Sequence, residues 1–134
     1  MESATVDASQ FPILMIRVHP VHPTSVEVDQ MFADLEQVMA TTEGKYVAIT
    51  VAPTQFISSE ARVRLGTLSK SFYERYQDRE IISILVSTSP IARIMLQTIQ
   101  LLFRPYSQKQ VIVGSIEEAM DLAEEKLQAV RSTS

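Results

Sequence analysis

At 134 residues, 46% hydrophobic and 21% charged, with a formal net charge of -4, the chain has the size and composition of one domain with its own apolar core. A sequence pI of about 5.1 gives no electrostatic footprint for a nucleic-acid backbone or an anionic membrane surface. The lack of cysteine removes a disulfide framework, a thiolate zinc site and a cysteine nucleophile together, and a reducing, cytoplasmic setting is the expectation.

Residues 1–10 carry Glu2 and Asp7 and neither a basic nor an apolar region, so they read as a disordered N-terminus and not as a secretion signal. Phe11 to Val18 (FPILMIRV) is a short apolar run ended by His19-Pro20-Val21-His22-Pro23, because proline has no N–H to continue a ladder. A strand followed by a loop is predicted. From Ser25 the period changes to 3.6, with Val28, Met31, Phe32, Leu35, Val38 and Met39 on one face, Thr24 or Ser25 as cap, and Gly44 closing the helix.

Tyr46 to Val51 (YVAITV) is β-branched and bounded by Gly44 and Pro53, which predicts a central strand. A second helix starts at Ser58 or Ser59, with Ala61, Leu65, Leu68, Phe72 and Tyr76 inward and Arg62, Arg64, Lys70 and Arg75 toward water. Ile81 to Val86 (IISILV) is apolar at nearly every position, as expected of a strand with helices on both faces. Another helix is predicted over about 90–103, then a strand at Gln110 to Val113. A last helix opens on Ser115-Ile116-Glu117-Glu118, a capping box, and residues 131–134 form a frayed tail. Strands alternating with helices predict an α/β sandwich of two or three layers, with about four mostly parallel strands and four helices, in one domain over residues 11–130.

Chemistry-bearing motifs are sparse. Gly44, Gly66 and Gly114 are the three glycines and no two are close, so neither a dinucleotide fingerprint nor a phosphate-binding loop is present. His19 and His22 sit in the proline-rich loop, each followed by proline, and a metal site would need two further ligands from elsewhere. The carboxylates at Asp29, Asp34, Glu36, Glu117, Glu118, Asp121, Glu124 and Glu125 fall on outer helix faces. No catalytic, metal-binding or cofactor residue is therefore assigned, no cofactor is expected, and the chain reads as a binding protein and not an enzyme.

Two features point to contact surfaces. The basic set Arg62, Arg64, Lys70, Arg75 and Arg79 on the second helix reads either as a solvated face or as a dock for an acidic partner. On the helix over 90–103, Ile91, Ile94, Met95, Leu101 and Leu102 belong to an apolar arc of about 220°, wider than the stripe of about 100° that packing on one sheet uses. A neighbouring helix, a protein partner or a second copy in a homodimer would cover the excess.

In this arrangement YVAITVAPTQFISSEARVRL and REIISILVSTSPIARIMLQTIQLLFRPYSQKQVIVGSIEEAMDLAEEKL resemble the STAS family, the sulfate-transporter and anti-sigma-factor-antagonist fold. Within it they resemble the bacterial SpoIIAA-like or STAS/SEC14-like uncharacterised proteins. The resemblance implies a non-enzymatic interaction or regulatory module. In the antagonists a serine of an Asp-Ser-Ser-Gly type loop is phosphorylated to break a partner complex; the matching stretch here is Ser58-Ser59-Glu60-Ala61. Glu60 falls at that serine's place, and a one-residue shift puts Ser59 there, so Ser58, Ser59 and Glu60 form the expected regulatory loop, with helix capping as the alternative role. The rival reading is a small-molecule or lipid binder at the carboxyl ends of the strands, lined by Thr54, Gln55, Ser87, Thr88 and Ser89.

Overall fold

A computed structural model describes residues 4–18, 25–51, 59–87, 90, 94 and 109–133. In chain order the elements are β1 (Ala4–Asp7), β2 (Ile13–Val18), α1 (Ser25–Thr41), β3 (Tyr46–Val51), α2 (Ser59–Tyr76), β4 (Glu80–Val86), β5 (Gln110–Val113) and α3 (Ile116–Thr133). The five strands form one sheet in the order β1-β2-β3-β4-β5. Strands β2 to β5 are mutually parallel, and β1 adds an antiparallel edge with Val6 opposite Ile16.

Alternation along the strands sends side chains to two separate cores. Leu14, Ile16, Tyr46 and Ala48 meet Val28, Phe32, Leu35 and Met39 of α1 and Phe72 of α2 on one face. Ile13, Val47, Ile49, Ile82, Ile84, Val86 and Val113 meet Ala119, Ala123 and Leu127 of α3 on the other. The result is three layers. Helices α1 and α2 share a face, as right-handed crossovers advancing in one direction require. On the opposite face the fully buried Ala119 and Ala123 have no bulk to hold α3 away from β3 and β4.

The α/β class, the parallel sheet and the helices of the two cores follow the sequence expectation, and β3 and β5 have the bounds read from it. Three expectations are corrected. Residues 4–7, expected to be disordered, form β1, because Val6 packs against the α1 core and the strand pairs with β2 over four residues. The sheet therefore has five strands and not four. The last helix continues through the expected frayed tail to Thr133. Three helices are described where four were expected; the one predicted over 90–103 lies outside the described residues except at Pro90 and Ile94, both helical.

Candidate functional site

In a parallel sheet every strand ends on the same side, and the helix that follows each strand begins there. That carboxyl edge gathers the starts of α1, α2 and α3, and β4 ends there before the helical residues Pro90 and Ile94. Among the described residues, three of the four exposed large apolar side chains belong to helical positions that follow β2, β3 and β4: Val26, second in α1, at 73%, Val63, fifth in α2, at 70%, and Ile94 at 63% exposure. Between the two valines, Arg64 of α2 donates from Nε to Asp29 Oδ1 of α1 at 2.6 Å, with each side chain about half exposed. The ion pair sets the two helix starts side by side and leaves the patch locally neutral.

Of the basic set expected to form either a solvated face or a dock for an acidic partner, Arg64, Arg75 and Arg79 bond within the chain. Arg64 engages Asp29 and Arg75 engages Glu36. Tyr76 donates its hydroxyl to the other oxygen of Glu36 at 2.5 Å, which raises the Tyr76 pKa. Arg79 donates to the Met39 carbonyl at 3.1 Å, the Gly44 carbonyl at 2.8 Å and Thr42 Oγ1 at 3.2 Å. It thereby covers carbonyls that the end of α1 leaves unpaired. These residues act as staples between α2 and α1.

The expected regulatory loop reaches the described residues at Ser59, the first residue of α2, and at Glu60, which is exposed in its first turn. Both stand at the same edge as Val26 and Val63; Ser58 lies outside the described residues. Of the expected interface residues, Ile94 is exposed, while Ile91, Met95, Leu101 and Leu102 fall outside them. Of the expected ligand crevice, Thr54, Gln55, Thr88 and Ser89 fall outside as well, and Ser87 is described. Its backbone N–H donates to the Val113 carbonyl at 3.0 Å. The side chain is 1% exposed and its hydroxyl has no hydrogen-bond partner among the described residues.

The topology offers that crevice little support. Open parallel sheets hold ligands where the strand order reverses, and the order here advances without a reversal. Among the described residues, no three of His, Asp and Glu come together to hold a metal ion, and His19 and His22 lie outside them. No described helix is long and apolar enough to cross a membrane. A groove of about 410 Å³ lies away from this edge, between the β1–β2 turn and α3, lined by Ile13, Met120, Glu124, Leu127, Gln128 and Arg131.

At the opposite edge of the sheet, Tyr46 and Glu80 face each other across β3 and β4. Burial pushes both upward in pKa, with Lys109 opposing the shift at Glu80. Lys109 Nζ itself donates to the carbonyls of Gln77 at 2.7 Å and Glu80 at 2.9 Å. The grouping closes the α2–β4 turn.

Val26 and Val63 were not singled out from the sequence, and Asp29 was read only as an outer-face carboxylate. Their signal is that the two valines fall off the 3.6-period stripes that predict the buried faces of their helices. No family model, curated protein or solved structure matches the chain.

Proposed function

We propose that this chain is a non-enzymatic protein-interaction or regulatory module of STAS-like fold, whose contact surface is the start of consecutive helices at the carboxyl edge of the sheet. The observation that carries the reading is the exposure of Val26 and Val63 near the starts of α1 and α2, with the exposed Ile94 following β4. Single exposed apolar residues are ordinary, whereas several in one region mark a contact surface. The STAS-like assignment draws support from the strand–helix alternation and from the position of Ser59 and Glu60, expected from the resemblance to be regulatory, as the first two residues of α2. A regulatory phosphate on Ser59 would add about two negative charges next to Glu60 at the start of α2, which gives the module a direct way to release a partner.

Affinity purification from the native cytoplasm with the unaltered chain and with Val63→Asp and Ile94→Asp tests this. A protein retained by the first, lost from both variants, and rebinding in purified form at least tenfold more tightly to the unaltered chain is the expected outcome. Equal retention by all three would refute it.

The unpartnered hydroxyl of Ser87 favours a second reading, a small-molecule or lipid site at the same edge. A thermal-shift screen over nucleotides, lipids and metabolites separates the two readings, because a ligand at a hundred times its dissociation constant adds about 2.7 kcal/mol of stability.

A further inference from the structure

On the face opposite α1 and α2, α3 is the one described helix over the sheet. It packs on β3 and β4 through Ala119 and Ala123, and a helix about 10 Å across covers about two strands spaced about 4.8 Å apart. Both flanks of that face therefore stay open among the described residues. Val111 of β5, which shares this face with the buried Val113, is 37% exposed. On the other flank, beside Ile13 of β2, lies the groove of about 410 Å³.

Each wall of the groove is fixed by the fold. The β1–β2 turn is held by the Phe11 N–H donating to the Ala8 carbonyl at 3.0 Å, the Ile13 N–H to the Gln10 carbonyl at 3.0 Å and the Val47 N–H to the Pro12 carbonyl at 2.9 Å. Gln10 and Pro12 line the groove from that side. The other wall is one stripe of α3, where Met120, Glu124, Leu127, Gln128 and Arg131 fall within an arc of about 100° and all line the groove. Ile13 and Leu127 are buried and Met120 is partly buried, while Glu124, Gln128 and Arg131 are exposed. A volume of this size with aliphatic walls and a few polar groups has the make-up of a small-molecule site.

The polar groups define the class of ligand. Glu124 and Arg131 are seven residues apart, two turns and about 10 Å along the helix, beyond the three- or four-residue spacing at which side chains of one helix pair. The stripe thus offers a carboxylate and a guanidinium about 10 Å apart, with the Gln128 amide between them and aliphatic side chains alongside. An extended chain of three residues spans the same distance, about 10 Å. We infer that this groove is a binding site for short peptides with free termini, about three residues long and aliphatic in side chain. The ammonium of the peptide meets Glu124, and its carboxylate meets Arg131 in the two-pronged geometry that a guanidinium favours. Gln128 both donates to and accepts from a peptide group, and the aliphatic side chain packs on Ile13, Met120 and Leu127. The site is separate from the carboxyl-edge surface and goes beyond the interaction reading.

Titration of the isotope-labelled full chain with the peptide Ala-Leu-Ala, followed by amide NMR shifts, is the test. Saturable shifts are expected at residues 10–13 and 120–131. Acetylating the amino terminus of the peptide, or amidating its carboxyl terminus, is expected to weaken binding about fivefold, the contribution of one partly solvated ion pair. Free leucine, too short to reach both charges, is expected to bind at least as weakly as the blocked peptides. Acetylation should cost nothing further in Glu124→Gln, and amidation nothing further in Arg131→Gln, which ties each terminus to its side chain. Both positions are exposed, so the variants are expected to keep the spectrum of the unaltered fold elsewhere. No saturable shift up to about 10 mM peptide, equal binding of free and blocked peptides, or shifts centred on Val26 and Val63 overturns the inference. The interaction reading stands or falls separately, on the loss of a partner in Val63→Asp.

Discussion

Replacing Arg79 by methionine removes the guanidinium while keeping an apolar stem of similar reach. Three hydrogen bonds are lost, to the Met39 and Gly44 carbonyls and to Thr42 Oγ1, and two of them are partly buried. A net value of about 1 kcal/mol per bond, kept at the neutral-pair level because the group is partly solvated, gives a loss of about 2–3 kcal/mol. For a domain of this size that corresponds to a fall in Tm of about 8–12 °C. Arg79→Lys keeps the charge near the carbonyl end of α1 but has no planar fork, so it should lose about half as much. Urea unfolding followed by circular dichroism reads both variants, with an unchanged slope showing that the unfolded state is the same. A methionine variant within about 0.5 kcal/mol of the unaltered chain would refute the view that this arginine ties the α2–β4 turn to the end of α1, since ordinary surface substitutions fall in that range.

Burial raises the Glu80 pKa against the opposing pull of Lys109, so the folded state binds this proton more tightly than the unfolded chain. Stability should therefore decline as pH rises from the ordinary carboxylate value through the raised one. Glu80→Gln should flatten that decline and be the more stable form at neutral pH; a parallel pair of stability-against-pH curves would contradict this. Ile84, fully buried between the sheet and α3, should cost about 3–4 kcal/mol on truncation to alanine, read by the same unfolding assay. Ser87→Ala deletes a buried hydroxyl without a partner and should be neutral or stabilising by about 1 kcal/mol; a loss above that would reveal a hydrogen bond to this hydroxyl. Gly44 is the one described residue with positive φ, at 89°, so Gly44→Ala should cost about 1–2 kcal/mol despite open space around its Cα.

Periodicity carried the fold because each helix and strand buries a regular face: Val28, Phe32, Leu35 and Met39 were legible as one stripe, and YVAITV as one strand. β1 was not legible, since ATVD is too short for a pattern and is held by pairing with β2 from outside the segment. The candidate site was only half legible. Ile94 and the start of α2 were marked in advance. The role of the α2 cations depended on Asp29, Glu36 and the end of α1, which are 35 to 40 residues away in sequence and adjacent only after the crossover brings the helices together. Val26 and Val63 carried information by departing from their stripes, a signal that gains meaning once both are known to begin at one edge.

Amide hydrogen exchange on the unaltered chain, free and bound to the protein that affinity purification retains, tests the contact surface most directly, with Val63→Asp as the reference. Residues 25–33 of α1 and 59–67 of α2 should exchange more slowly in the bound chain and show no such change in the variant. Protection confined to α3 or to the β5 edge, or protection that survives in the Val63→Asp chain, would contradict the account.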